Sequence, residues 1–407
     1  MTVAPCARLL CTWNGGTQVM RFAGATQVPA RVVVTSAPEA AYLSCPKSWK
    51  CGGTSSPWAK GGQPAGDSIM PPRYDDGGFP EFPGGTPVAR LGRGDHRRGM
   101  RTITQHTFGG PEVLSIVDAP KPRPLPTEVL VRVKAIGLNP LEPRLRAGEF
   151  PLLGPPPFVL GWDISGVVEA AQTWRFRPGD EVFGMPMFPR AAGGYAEFAA
   201  APALHLARKP ASLSHVEAAA LPVAGLTAWQ GLVDLGGVTA GDRVLIHGGG
   251  GGVGHIAIQL AKAFGAHVIT TAGGSKREFV AELGADEVVD YTQADFTEVV
   301  GDVDLVLDTI GGDTALRSLD VLRPGGHLVT AVAEEDTELI AKFEAAGLRF
   351  SGVGVDPDPV ALQGLVDLVD EGKLRVHVQE TFPFERIADA HRLIERGHLR
   401  GKVVLTV

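Results

Sequence analysis

Two patterns of hydrophobic spacing divide the chain. Between Met100 and about Leu221, apolar and polar residues alternate over short runs. In Glu128–Ile136 (EVLVRVKAI), Val129, Val131 and Val133 fall on one face and Arg132 and Lys134 on the other. That period of two predicts a half-buried strand. Asp163–Ala170, Glu181–Met185 and Tyr195–Ala200 predict further short strands, parted by turns such as Arg177-Pro178-Gly179-Asp180. Strands so short and irregularly spaced point to a barrel rather than a parallel sheet. After Leu221, short apolar runs alternate with helical patterns. The strands are Arg243–His247 (RVLIH), His267–Thr271, Val288–Tyr291, Leu305–Asp308 and His327–Val332; the helices are His255–Phe264, Lys276–Leu283 and Thr314–Leu322. Gly265 and Gly284 close the first two helices. This alternation predicts an α/β fold with a doubly wound parallel sheet. Pro359–Val369 and Phe384–Arg396 then predict helices and Lys402–Val407 a last strand.

The first 99 residues show little periodicity of either kind. About a quarter of them are Gly or Pro, with clusters at Pro71-Pro72, Gly77-Gly78 and Pro83-Gly84-Gly85, a composition too poor in apolar surface to offset the entropy of ordering. A disordered extension over 1–99 is expected, with Met100 opening the coherent pattern. Residues 1–38 contain no acid, as in an organellar transit segment, but serine is scarce, and the start lacks the apolar core of a secretory signal.

A length of 407 residues calls for two domains plus extras. The chain carries a formal charge of −7, yet residues 1–99 hold 11 Lys and Arg against 6 Asp and Glu, so the remaining 308 residues carry −12. An acidic body excludes nucleic acid as the main partner, and no apolar run is long enough to span a membrane. All four cysteines (Cys6, Cys11, Cys45, Cys51) lie in the first stretch, spaced C-x4-C and C-x5-C with no histidine between, so no zinc site is expected there. A cysteine-free body fits a reducing, cytoplasmic setting.

Between the strand at 243–247 and the helix at 255–264 stands Gly248-Gly249-Gly250-Gly251-Gly252-Val253-Gly254. A backbone that turns tightly and approaches a pyrophosphate closely needs glycine. The helix that follows presents free N–H groups and its positive dipole end. Gly248, Gly251, Gly252, Val253 and Gly254 are thus expected to cradle a dinucleotide. NAD-selective sites place an acid about 20 residues past the glycines, at the end of the second strand. Here that region reads Thr270-Thr271-Ala272-Gly273-Gly274-Ser275-Lys276-Arg277. With no acid, a hydroxyl and two cations, it suits a 2′-phosphate through Ser275 and Lys276, and NADPH is the expected cofactor.

With these motifs in order, residues 100–407 resemble the medium-chain dehydrogenase/reductase superfamily in its zinc-free quinone oxidoreductase-like branch. The stretches that carry the resemblance are HTFGGPEVL (106–114), EVLVRVKAIGLNPLE (128–142), PFVLGWDISGVVEA (157–170), RPGDEVFGM (177–185), ALPVAGLTAWQGL (220–232), GGGGGVG (248–254), LGADEVVDY (283–291) and GKVVL (401–405). The resemblance implies a GroES-like β-barrel catalytic domain over 100–220, completed by 357–407, a Rossmann NADP-binding domain over 221–356, and an active site in the cleft between them. It implies that Lys276 and Tyr291 contact the adenosine 2′-phosphate end, and that Asn139 and Thr227 lie near the nicotinamide. Tyr291 reads equally well as a core aromatic. A homodimer is expected by analogy alone.

Zinc-dependent relatives ligate their metal through a Cys, a His and a third Cys or acid. Asn139 stands at the Cys position and Trp162 at the His position of Gly161-Trp162-Asp163. Neither supplies a zinc-binding thiolate or imidazole, so no metal is expected. Many zinc-free relatives also carry a tyrosine shortly after the position of Asn139; Arg144 stands there instead. Arg144 either stabilises an oxyanion or is a surface cation, and Glu142 either relays a proton or faces solvent. The expected activity is NADPH-dependent hydride transfer to a quinone or an α,β-unsaturated carbonyl without zinc. The alternative is an NADPH-binding sensor or interaction protein with little turnover.

Overall fold

The computed structural model describes residues 99–150, 152–332 and 336–407, together with three strands within the first 98 residues. Those strands, β1 (Leu9–Asn14), β2 (Thr17–Phe22) and β3 (Val33–Thr35), pair antiparallel in the order β1-β2-β3. Fifteen residues of the stretch expected to be disordered are therefore strand. The rest of that expectation, and the four cysteine side chains, fall outside the described residues.

From Ala89 onward the chain forms a separate unit. A hairpin of β4 (Met100–Thr104) and β5 (Ser115–Ala119) leads into β6 (Glu128–Leu138), helix α1 (Leu141–Ala147), β7 (Asp163–Ala171), β8 (Glu181–Gly184), β9 (Phe198–Pro202) and β10 (Leu206–Arg208). Val129, Val131 and Val133 are almost fully buried while Arg132 and Lys134 are exposed, as the alternation requires. The strand expected at 195–200 begins three residues later, because Tyr195 is drawn into the core and its neighbour Ala196 bridges to Thr102.

Helices α2 (His215–Ala219) and α3 (Pro222–Trp229) then hand over to the second sheet. Its elements are β11 (Arg243–His247), α4 (Gly254–Ala263), β12 (His267–Ala272), α5 (Arg277–Glu282), β13 (Glu287–Asp290), α6 (Phe296–Val299), β14 (Val303–Asp308), α7 (Gly312–Arg317), β15 (Leu322–Thr330), α8 (Thr337–Ala345) and β16 (Arg349–Gly352). The six strands lie in the order β13-β12-β11-β14-β15-β16, every neighbouring pair parallel. This is the doubly wound order, and ligands bind outside the carboxyl ends of the strands where that order reverses, beside β11. Val244, Leu245 and Ile246 are wholly buried, as a strand covered on both faces must be.

The helix expected at 314–322 stops at Arg317 and gives way to a single tighter turn at Ser318–Asp320, so β15 starts five residues earlier than expected. Finally α9 (Pro359–Asp370), β17 (Val378–Pro383), α10 (Ile387–Glu395) and β18 (Lys402–Thr406) return the chain to the first sheet, whose order is β10-β8-β7-β6-β18-β17 with β9 also on β6. Among the described residues no helix is long and apolar enough to cross a membrane.

Candidate active site

The glycine run turns at Gly248, which holds a left-handed φ of 74°. A Cβ at Gly249 would lie 2.0 Å from Thr270 Oγ1, and one at Gly254 would lie 2.3 Å from the Gly248 carbonyl oxygen. Both positions are therefore closed to any side chain, and Gly254 lets α4 start against the loop. Val253 provides no side-chain cap for α4. The N–H groups of Gly252 and Val253 meet no acceptor among the described residues, which leaves them, with the dipole of a ten-residue helix, directed at an anion.

The loop lines a cleft of about 970 Å³ together with Asn139, Lys276, Tyr291 and Lys402. Lys276 donates from Nζ to the Leu399 carbonyl at 2.7 Å, and partial burial lowers its pKa. Tyr291 lines the cleft with half its surface exposed, so it is not a core aromatic. Ser275 is exposed and does not line it. β12 ends at Ala272 without an acid. Asp290, which pairs with Ala272 at the end of β13, is engaged with Gly274 and Thr292, and Asp295, which lines the cleft, is paired with Arg317. A glycine-rich cradle, free amides and a cation beside it form a donor set that fits a phosphorylated dinucleotide.

At the other end of the cleft, strand register assembles a buried cluster. Gly137 of β6 faces Asp163, the first residue of β7, and Leu138 faces Val403 of β18. Asn139, Asp163 and Lys402 thus meet at three adjoining strand ends. Asp163 accepts from Asn139 Nδ2 at 3.0 Å, from Lys402 Nζ at 3.2 Å and, through its other oxygen, from the Val223 N–H at 2.7 Å at the start of α3. Burial pushes the Asp163 carboxyl upward, and the Lys402 charge and these donors pull it back. Lys402 also donates to Asn139 Oδ1 at 2.5 Å. The Asn139 and Trp162 positions are therefore committed elsewhere: Asn139 Oδ1 holds the lysine, and the Trp162 indole donates to the Arg190 carbonyl at 2.8 Å.

Glu142 neither faces solvent nor lines the cleft. It is fully buried, its Oε2 accepting from the Asn139 N–H and from Tyr195 Oη, each at 2.8 Å, and burial raises its pKa to about 8. Behind it, Tyr195 Oη meets His391 Nε2 at 3.0 Å, Arg146 donates to His391 Nδ1 at 3.1 Å, and Arg146 pairs with Glu395 at 2.5 Å. Since Arg146 is donor only, His391 accepts at Nδ1 and carries its proton on Nε2. The oxyanion role expected of Arg144 is corrected. Its side chain is 57% exposed, pairs with Glu149, stacks near Phe150 and lies outside the cleft lining. On α1 the buried residues are Glu142, Pro143, Leu145 and Arg146, and Arg144 points away from them. Thr227 is buried with its hydroxyl donating to the Val223 carbonyl, and its neighbour Ala224 lines the cleft instead. Lys402, Tyr195, Arg146 and His391 were not read as site residues from sequence. The one local signal was Lys402, a charge at the head of the apolar run Val403-Val404-Leu405.

Residues 125–211 match the family model described as alcohol dehydrogenase GroES-like domain, and residues 283–405 the one described as zinc-binding dehydrogenase. The chain is 36% identical over 334 residues to the mitochondrial NAD(P)H oxidoreductase RTN4IP1 of Danio rerio, covering 69% of this chain and 84% of that one. It is 35% identical over 291 residues to 2-methylene-furan-3-one reductase of Solanum lycopersicum, covering 68% of this chain and 71% of that one. The solved structure of the quinone oxidoreductase from Coxiella burnetii superposes with a TM-score of 0.72 at 37% identity, over 76% of this chain and all of that one. The chain belongs to the medium-chain dehydrogenase/reductase superfamily, in its zinc-free, quinone oxidoreductase-like branch.

Proposed function

We propose that this protein is an NADPH-dependent reductase of quinones or α,β-unsaturated carbonyls that works without zinc. One observation carries the reading: a single cleft joins a glycine-rich phosphate cradle at Gly248–Val253 to a buried polar cluster at Asn139, and the two positions that hold metal in zinc-dependent relatives, Asn139 and Trp162, are tied to protein groups. The relatives named for NAD(P)H, for a quinone and for a furanone carrying a conjugated methylene support the same class. Bound in the cleft, the nicotinamide supplies a hydride to an acceptor already electron-poor enough to take it. The protein orients the two partners and excludes water.

The choice of NADPH rests on the acid-free end of β12 and on Lys276 beside Tyr291. The domain boundaries that go with this reading are 100–220 with 357–407 for the catalytic domain and 221–356 for the nucleotide domain. A cysteine-free body suits the cytoplasm, while the zebrafish relative is named as mitochondrial; fractionation of the source cell separates the two. Homodimerisation is read out by light scattering.

Fluorescence titration with NADPH and NADH, followed by an acceptor screen, tests the function. NADPH is expected to bind at least tenfold more tightly than NADH, and Lys276→Ala to remove most of that preference, since a charge-assisted contact is worth about 1.5–3 kcal/mol. Tight NADPH binding with no acceptor consumed would favour the sensor reading.

A further inference from the structure

One cation in the cleft is held by the buried polar cluster. Lys402 is 4% exposed, and its stem runs along the loop: a Cβ at Gly252 would lie 3.1 Å from Lys402 Cδ. Its ammonium has three N–H bonds. Two are taken, by Asn139 Oδ1 at 2.5 Å and Asp163 Oδ2 at 3.2 Å. The third meets no acceptor among the described residues, and Lys402 lines the cleft.

The other groups in the cleft wall with a transferable proton are placed elsewhere. Lys276 is bound to the Leu399 carbonyl, the exposed His398 adjoins that same Leu399, and Tyr291 sits beside Gly273, past the end of β12. His247 is held at both ring nitrogens, by Thr271 and by Ser318. At the end where Asn139, Pro140 and Ala224 form the wall, Lys402 is the acid in reach.

We propose that Lys402 is a catalytic residue of this cleft: its Nζ meets the acceptor's carbonyl oxygen and delivers the proton, and Asn139 and Asp163 are its positioning residues. The inference rests on the reductase reading. In an enone, hydride forms a C–H bond at the β-carbon, the C=C pair moves to the Cα–carbonyl bond, and the carbonyl pair moves onto oxygen. That oxygen takes a proton from Nζ, whose N–H pair stays on nitrogen, and the amine is reprotonated by water. The enol from an enone tautomerises to the saturated ketone; from a quinone the same steps give the keto tautomer, whose ring C–H proton is lost to water as water protonates the second oxygen, and the product leaves as the hydroquinone. The two electrons come from the hydride, so no further reductant is needed. A fixed positive charge placed where the oxyanion develops, in a site shielded from water, acts more strongly than it would in solution.

The test uses the full chain with NADPH and a cyclic enone. Lys402→Met alone leaves the buried Asp163 charge unpaired and is expected to destabilise the fold. The informative variant is therefore K402M/D163N, which removes both charges. It is expected to fold, to bind NADPH within about threefold of wild type by fluorescence, and to lose kcat by roughly 100-fold or more, the range of a general acid. Lys402→Arg keeps the charge but gives up no proton at ordinary pH. It is expected to remain at least about tenfold slow. A K402M/D163N enzyme within threefold of wild type, or a K402R enzyme of full rate, overturns the inference and leaves the reductase reading standing. A wild type that consumes no acceptor overturns both.

Discussion

Asn139 and Glu142 stand three residues apart, and each heads a buried polar cluster. The two clusters differ in what they leave over. The cluster of Asn139, Asp163 and Lys402 lies at the cleft and retains an uncommitted ammonium N–H. That of Glu142, Tyr195, His391 and Arg146 is directed inward: Arg146 donates to His391, His391 to Tyr195 and Tyr195 to Glu142 Oε2, while Glu142 Oε1 is buried with no partner among the described residues. It ties α1 to the segment before β9 and to α10, and reaches the surface at Glu395. Burial has been applied to both, but only the first has chemistry to spend on a ligand. The second fixes the helix whose first turn sets the Asn139 backbone, since Glu142 accepts the Asn139 N–H.

The sharpest way to break this contrast is at Lys402, where K402M/D163N is expected to abolish turnover while sparing the fold. Tyr195→Phe is the converse experiment. It removes the hydroxyl that joins Glu142 to His391, leaves His391 Nε2–H unpaired, and is expected to cost about 1–3 kcal/mol of stability. Its kcat is expected to stay within about threefold of wild type, measured on enzyme well below its melting temperature. A Tyr195→Phe enzyme that melts normally but turns over slowly would place the inner cluster in the chemistry.

Glu142→Gln separates the clusters by pH. Glu142 is raised from 4.5 to about 8, so between those values the native state holds a proton that the unfolded chain has released. Its contribution to stability is whole below the unfolded value and drains away as pH rises through about 8. Gln keeps the acceptor for Asn139 and Tyr195 and cannot titrate. Melts from pH 5 to 8 are expected to show wild type losing ground against E142Q as pH rises; parallel curves would mean that Glu142 does not hold the proton. Buried histidines act on the opposite side. His391 and His255 are lowered to about 3 and about 4 by burial, so they withdraw stability as pH falls from about 6.5 toward those values. The smallest effect belongs to Arg144→Ala, expected within about 0.5 kcal/mol of wild-type stability and with unchanged kcat, as for other exposed side chains.

The difference between the clusters also explains what the sequence disclosed. Strand β11 was read to the residue, because a wholly buried parallel strand is a continuous apolar run with sharp polar ends. The glycine loop was legible for a related reason: backbone that must approach Thr270 and Gly248 within van der Waals limits excludes every other residue type. β16 (RFSG) and β17 (VQETFP) were missed because the first is four residues long and the second is largely exposed, so neither carries a clean period. The clusters were illegible for a different reason. Asp163 and Lys402 are 239 positions apart, and Arg146 and His391 are 245 apart; only the pairing of β18 with β6 and the docking of α10 on α1 bring them together. Nearness in sequence misled in turn: Arg144 is five positions from Asn139, yet the turn of α1 carries it to the outside.

The most direct measurement is NADPH oxidation by the full chain after exhaustive chelation, with 1,2-naphthoquinone and a cyclic enone as acceptors and a simple aldehyde as control. Undiminished turnover of the quinone or the enone, with none of the aldehyde, is the expected result. Activity confined to the aldehyde and restored only by added zinc would contradict a cleft in which Lys402, rather than a metal, meets the developing charge.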